Sequence, residues 1–521
     1  MLTTGLHAPF LPLLSFLLLF QLRPSIAFDD TRHDNVVVYW GQNSYGATHT
    51  DTVNFQKTLS YYCQDDAIDV IPIAFLNTFF STGSLPSMNL ANICNDVDNA
   101  TFSGSELPIC TSLASDIEFC QSKGKIVTLS LGGAGGGVGF SSNSQGQSFA
   151  DTIWNLFLGG SSSTRPFGNA VLDGVDLDIE GGSSTGYAAF VNQIRSHATG
   201  ASKKYFVSAA PQCEYPDASL GSVLNAASFD MVYVQFYNNP CGLQNFNAAS
   251  DWDFGLWDNW ARTISPNPNV KIFIGAPASS TAAGGGYQSI GTLSSIAVQM
   301  RNSFPSFGGV MLWDASQAYV NSRYDLGIKN AISAAGGTGF TFPACTAPAF
   351  QAGSSYSGGA QVSSGGYIWQ AKWWSNAQPS NSPNSDWSAI SACAGSATSP
   401  TTVSAPSSSP TAGGSCAGVP AWTSSTIFTA NQQAVYGGEL WTAKWWTQGD
   451  TPGGSAGVWT DDGACGNAAL QSAAASATKP TGHPGVVSKV ESVVTHAASP
   501  SPSDQLEVQG SGKKSSRFIR L

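Results

Sequence analysis

The feature that most restricts the fold is a series of eight short, nearly continuous apolar runs between residues 35 and 314. They are Asn35–Trp40, Ala67–Leu76, Lys125–Leu131, Gly174–Glu180, Lys204–Ala210, Met231–Tyr237, Lys271–Ala276 and Gly309–Asp314. Helix-length intervals separate them. Strands buried on both faces read this way, without the apolar–polar alternation of a half-exposed sheet. Eight in series over roughly 300 residues predict an α/β chain closed into a (β/α)8 TIM barrel. An open doubly wound sheet is the competing arrangement, but no G-x-G-x-x-G follows the first run.

The remaining sequence is organised around that barrel. Phe10–Phe20 is a Leu/Phe-rich stretch followed by Ser25-Ile26-Ala27, so residues 1–27 are expected to be a cleaved leader. The apolar run is about a dozen residues, short of the ~20 that span a bilayer. Ten cysteines suit an oxidising, extracellular compartment. They are Cys63, Cys94, Cys110, Cys120, Cys213, Cys241, Cys345, Cys393, Cys416 and Cys465, none in a C-x-x-C pair. Histidine is scarce as well, so no metal site and no cofactor are expected. Asn99-Ala100-Thr101 is a glycosylation sequon. With 42% hydrophobic and 11% charged residues the chain reads as a large core under a neutral surface. A net charge of −11 argues against nucleic acid or an anionic membrane as partner.

Beyond residue 335 the texture turns to Gly, Ser, Thr, Pro and Trp. Gly365–Trp374 (GGYIWQAKWW) returns at Gly437–Trp446 (GGELWTAKWW), an offset of 72 that Trp387/Trp459 and Cys393/Cys465 share. We expect two small β-rich modules, 341–395 and 415–466, each closed by one disulfide because so small a core is marginal alone. A Ser/Thr/Pro linker over 396–414 and a disordered tail over 467–521 complete the division, with 28–340 as the barrel. The polar, basic end Lys513–Leu521 predicts no lipid anchor.

Chemistry concentrates in the fourth run, Asp173-Gly-Val-Asp176-Leu-Asp178-Ile-Glu180. Alternate residues of a strand share a face, so Asp176, Asp178 and Glu180 point one way and Val175, Leu177 and Ile179 the other. Inside a barrel, mutual repulsion and desolvation should keep one carboxyl protonated near neutrality. Glu180 comes last, at the strand end where barrels place their chemistry, and reads as a general acid. A calcium loop fails on the core-like Leu177 and Ile179, and a magnesium site is the weaker competing use of the acids.

This D-x-x-D-x-D-x-E strand resembles the signature of family 18 glycoside hydrolases. Ser130-Leu-Gly-Gly133 is similar to that family's second motif. Tyr39-Trp-Gly-Gln42-Asn43, Ala210-Pro-Gln-Cys213 and Gln235-Phe-Tyr237-Asn-Asn-Pro-Cys241 resemble the plant and fungal class III chitinases of hevamine type. The likeness covers about residues 35–335. It implies substrate-assisted retention, an exception to the two-carboxylate scheme. Glu180 would be the acid, Asp178 would orient the substrate acetamido group, Asp176 would stand behind it, and Tyr237 with Gln235 would hold the acetamido oxygen. Trp313 would be the floor under the −1 sugar, and Tyr39, Gln42 and Asn77 would line the glycone side. The resemblance also implies the pairs Cys63–Cys120, Cys94–Cys110 and Cys213–Cys241.

The C-terminal modules resemble the short chitin-binding modules of carbohydrate-binding families 5 and 12. Trp369, Trp373, Trp374, Trp441, Trp445 and Trp446 are the expected sugar-facing rings, since flat indoles stack on sugar C–H faces. In each adjacent pair, strand alternation predicts one ring buried and one exposed. The first copy departs from the pattern, with Phe350 where the second has Trp422. Together these features predict a secreted, monomeric endochitinase acting on chitin and chito-oligosaccharides, held on the polymer by two weak tethered sites. A non-catalytic chitin-binding lectin on the same fold, and an endo-N-acetylglucosaminidase or lysozyme-like activity, are the other readings.

Overall fold

In the computed structural model of the chain the described residues are 28–394, except 136, and 416–465, except 417, 425, 429–431, 445, 446, 455 and 456. They divide into two compact units at Ser399/Pro400. The expected leader, linker and tail, and the pair Trp445–Trp446, lie outside the described residues.

The eight apolar runs form a closed parallel barrel whose strands neighbour one another in sequence order. They are β1 (Asn35–Val38), β2 (Val70–Leu76), β3 (Ile126–Gly132), β4 (Gly174–Asp178), β5 (Phe206–Ala209), β6 (Met231–Gln235), β7 (Lys271–Pro277) and β8 (Phe307–Trp313). Pairing of Asn35 with Gly309 through Val38 with Leu312 closes the ring. The helices are α1 (Ala114–Ser122), α2 (Asn143–Phe157), α3 (Tyr187–Ala198), α4 (Gly221–Ala226), α5 (Phe254–Thr263), α6 (Ile290–Ser303), α7 (Ala315–Val320) and α8 (Tyr324–Ala334). Strand ends differ from the expected ones by up to three residues. Between β1 and β2 two 3-10 turns, Thr52–Asn54 and Leu59–Cys63, replace the expected helix. That interval is polar and glycine-containing, with no apolar stripe of helical period for a helix to bury.

The two-residue period of the strands sorts their side chains into two cores. Val36, Val38, Val127, Leu129, Val175 and Leu177 face outward into the layer under the helices. Val37, Val70, Tyr233, Phe273 and Met311 face inward and fill the barrel. Each fully buried large side chain contributes roughly 1.5–3 kcal/mol. Dozens of them give the barrel enough stability to hold acids at its centre. The ten cysteines form five disulfides: 63–120, 94–110, 213–241, 345–393 and 416–465. Among the described residues no helix is long and apolar enough to cross a membrane.

Among the described residues three small antiparallel sheets follow the barrel. The first, β9 (Gln361–Ser364), β10 (Tyr367–Ala371) and β11 (Trp387–Ala392), has the order β11-β10-β9. It does not hang free. Its residues Val362, Tyr367, Trp369, Ala371, Trp387 and Ala389 belong to the same continuous apolar core as the barrel's outer layer. Gly255 of α5 makes that packing feasible, because a Cβ there would lie 2.0 Å from the Ala389 carbonyl oxygen. At the centre of the joint, the Tyr367 hydroxyl donates to Asp258 Oδ2 (2.7 Å) and accepts from Arg262 Nη1 (2.6 Å).

The second unit contains β12 (Ile427–Phe428) paired with β15 (Thr447–Gln448), and a sheet of β13 (Gln433–Tyr436), β14 (Glu439–Ala443) and β16 (Trp459–Ala464). It has its own small core of Phe428, Ala434, Ala443, Val458 and Trp459.

Two expectations for the rings are corrected. Trp369 is buried, and its indole N–H donates to the Ser364 carbonyl at 2.9 Å. Trp373 and Trp374 are both exposed, at 51% and 60%. The strand ends at Ala371 and the pair sits in the bend beyond it, where strand alternation no longer applies.

Gly255→Ala forces α5 and β11 apart, and it should lower the stability of this unit by roughly 1–3 kcal/mol, the usual cost of overpacking. Denaturant unfolding checks this. A midpoint equal to that of the parent would show that the close approach is not required.

Candidate active site

The site is built on strand register. Ser130 of β3 and Ser208 of β5 stand level with Asp176 of β4. Asp176 is fully buried and accepts three hydroxyl hydrogen bonds. They come from Tyr39 (2.6 Å), Ser130 (2.7 Å) and Ser208 (2.7 Å). Burial pushes its pKa up, and the three donors pull it back.

One layer higher, Asp178 is also buried and accepts from Gln235 Nε2 at 2.9 Å. The same amide nitrogen donates to the Ala210 carbonyl at 2.9 Å, which fixes its direction. Glu180 lies two residues past the end of β4 and is only partly covered. Gln235 is also near enough to favour the ionised form of Glu180. The pKa of Asp178 is raised well above the ordinary carboxylate range by burial, then by the charges of Glu180, Asp176 and Asp217. That of Glu180 is raised by burial, opposed by Gln235, and raised further by Asp217. Each acid therefore holds its proton to higher pH than an isolated carboxyl does.

The second motif gains a physical reason here. Gly132 adopts φ +114°, and a Cβ on it would lie 2.2 Å from the Asp178 carbonyl oxygen. That carbonyl accepts from the Gly133 N–H at 2.8 Å. The glycines let the end of β3 lie against β4 just below Glu180.

The other expected residues separate by role. Tyr237, directly after β6, is nearly buried, and its hydroxyl pKa is raised well above the usual value by burial and by Asp178 and Glu180. Trp313, at the end of β8, is half-buried, stacks on Phe75 at 5.8 Å and meets Tyr39 at 5.6 Å. Tyr39 is itself 2% exposed with its hydroxyl committed to Asp176, so it supports the acid row rather than lining open cleft. Gln42 donates its amide to the Ala74 and Asn89 carbonyls, both at 2.9 Å, and ties the loops after β1 and β2 together. Asn77 stands half-buried just past β2.

Three contributors were not foreseen. Ser208 and Tyr233 surround Asp176, and Asp217 lies within electrostatic reach of both upper acids. A lone Ser on the inward face of an apolar run is a sequence signal that could have marked Ser208. Asp217 sits in the loop after β5, where no periodicity marks it. Its carboxylate accepts from the backbone N–H groups of Gln212 (3.1 Å), Ser219 (2.9 Å) and Leu220 (2.5 Å). Among the described residues no group of three or more His, Cys, Asp or Glu could hold a metal ion.

The sequence model of the family described as glycosyl hydrolases family 18 matches residues 35–375. The chain belongs to family 18 of the glycosyl hydrolases. The match runs through every barrel strand and past β10. Among family-18 relatives, Chitinase 2 of Rhizopus oligosporus is 50% identical over 304 residues, covering 58% of this chain and 53% of its own. The Endochitinase of Saccharomyces cerevisiae is 43% identical over 327 residues, covering 62% and 54%. Endochitinase 33 of Trichoderma harzianum is 43% identical over 309 residues, covering 57% and 91%. The family-18 chain thus spans about half the length of the first two.

Asp217→Asn removes a negative charge, which should lower the pKa of both Glu180 and Asp178. Carboxyl 13C NMR titration of the parent and variant checks the direction. Midpoints that stay or rise would remove Asp217 from the electrostatics of the site.

Proposed function

We propose that this family-18 chain is a secreted endochitinase that cleaves β-1,4-linked N-acetylglucosamine polymers by substrate-assisted retention. The observation that carries the reading is buried Asp178, held by the Gln235 amide, with half-open Glu180 two residues beyond it at the mouth of the barrel. It offers one proton to the outside and one dry carboxyl behind it. The names of the relatives, chitinase and endochitinase, support the substrate class.

In the proposed reaction Glu180 gives its proton to the glycosidic oxygen as the C1–O bond breaks. The carbonyl oxygen of the substrate's own acetamido group forms a bond to C1 from the opposite face, giving an oxazolinium ion. Asp178 accepts the acetamido N–H and stabilises the positive charge, and the Tyr237 hydroxyl donates to the acetamido oxygen. Water then attacks C1 and displaces the acetamido oxygen while Glu180 takes the water's proton, so the acetamide, the β configuration and the carboxyl are all restored. Trp313 is the floor beneath the reacting sugar, and Gln42 and Asn77 mark the glycone side. The raised pKa of Glu180 suits donation near neutral pH. Activity that needs the protonated acid is lost as pH rises through that pKa.

The exposed Trp373 and Trp374, half-buried Trp441, and Trp445 and Trp446 are assigned to chitin binding, in modules of carbohydrate-binding type 5/12 appended to a class III barrel. Flat rings with a free face suit the C–H surfaces of β-linked sugars.

Glu180→Gln should reduce chitohexaose hydrolysis by at least about a hundredfold, within the range for loss of a general acid. The parent should release the β-anomer first, read by 1H NMR of the early product. Initial α-anomer would overturn retention. Absence of cleavage by the parent, with binding to chitin intact, would make the chain a lectin.

A further inference from the structure

The first C-terminal sheet is joined to the barrel in a way the second, homologous one is not built for. At the offset of 72, Tyr367 corresponds to Glu439 and Ala389 to Asp461. Tyr367 donates to buried Asp258, whose other oxygen accepts from the Ser306 backbone N–H (3.0 Å) and hydroxyl (2.5 Å). A glutamate there would set a second carboxylate beside buried Asp258, with Arg262 shared between the two. Ala389 lies on Gly255 of α5, where an aspartate side chain has no room. In the second sheet the residue equivalent to Ala389, Asp461, is exposed. The first copy has therefore been fitted to the barrel surface.

The place of the joint gives it a direction. Beyond β10, Lys372 interacts electrostatically with Asp253 and Asp251 in the loop between β6 and α5. Asn381 stands close to the hydroxyl of Tyr215, in the loop between β5 and α4, with its buried amide atoms making no hydrogen bond. These loops follow β5 and β6 at the C-terminal end of the barrel, on the same face as Glu180. Gln42 and Asn77, which mark the glycone side, follow β1 and β2, directly across the ring. Between Lys372 and Asn381 stand the two exposed rings. The indole N–H of Trp373 is fixed on Asp386 Oδ1 at 2.7 Å, and the other oxygen of Asp386 holds the Ser375 hydroxyl at 2.7 Å. Trp373 is thus held in place while half-exposed, with Lys372 Nζ 5.8 Å over its ring.

We infer that the docked sheet is a fixed extension of the substrate cleft on its aglycone side, and that Trp373 and Trp374 form a stationary platform for the reducing-end part of a long β-1,4-N-acetylglucosamine chain. The inference rests on the chitinase reading above. A platform so far from the reacting bond is reached by a polymer and not by a tetramer.

The test is the ratio of kcat/KM on glycol chitin, a soluble long-chain substrate, to kcat/KM on chitotetraose, measured with the full chain. Trp373→Ala/Trp374→Ala should lower this ratio roughly tenfold through KM, the scale of two lost stacking contacts. Trp373→Tyr/Trp374→Tyr should restore most of it. Ala389→Asp, which gives the first copy the residue of the second, should lower the ratio with both rings intact, because the platform is displaced. A ratio unchanged in the alanine variant overturns the platform, even if binding to insoluble chitin falls. A ratio lowered by the alanine variant but not by Ala389→Asp overturns the fixed geometry. If the parent cleaves neither substrate, the chitinase reading itself falls and this inference with it; cleavage of both with an unchanged ratio removes the inference alone.

Discussion

Everything above the middle of the barrel depends on one buried carboxylate and the hydroxyls around it. Asp176 has no counter-cation beside it. It is held by Tyr39, Ser130 and Ser208, contributed by or next to β1, β3 and β5. An unpaired acid in a dry interior is costly, and hydroxyl donors lower that cost without neutralising it. The strands bearing those hydroxyls must keep their register, because slipping one residue would turn each Ser to the outer face. A chemically awkward group thus specifies the alignment of the sheet around it.

From that level the site rises by the simple period of a strand. Asp178 stands two residues further along, and Glu180 two beyond it, past the last ladder pair. The gradient in exposure is the functional feature. Asp176 is sealed, Asp178 is buried but touches the Gln235 amide, and Glu180 reaches the opening. Negative charge below and beside the upper pair raises the pKa of both, and Glu180 is the more exposed of the two. Gly132 belongs to the same design, since any side chain on it would push β3 away from the Asp178 carbonyl.

The barrel was legible because eight doubly buried strands leave an unmistakable apolar signature, and the acid row because its period is that of a strand. What escaped was whatever depends on neighbours across the fold. Ser208 acts only because it stands level with Asp176 on the adjacent strand, and Asp217 because a loop brings it to the top of the barrel. Tyr39 looked like a cleft residue, yet its hydroxyl is committed to Asp176. Trp369 has the same spacing as an exposed ring would, and only the packing of β10 shows it to be core. The first interval lost its expected helix because length alone does not make an apolar stripe.

The two C-terminal repeats show how few residue changes fit one copy of a small sheet to a larger surface. Both keep the disulfide, the turn glycines and the Ala-Lys-Trp-Trp segment. They differ on one face, where the first has Tyr367, Ser388 and Ala389 and the second has Glu439, Thr460 and Asp461. Against the barrel, small or hydrogen-bonding residues allow close approach, whereas the second copy carries two acids at the positions of Tyr367 and Ala389. A tethered site raises the local concentration of enzyme on a polymer but must order its linker whenever both sites engage one chain. A docked site has met that cost during folding, and its rings are already fixed relative to the acids. In the first repeat Tyr367, Ser388 and Ala389 are what fit the motif to the barrel.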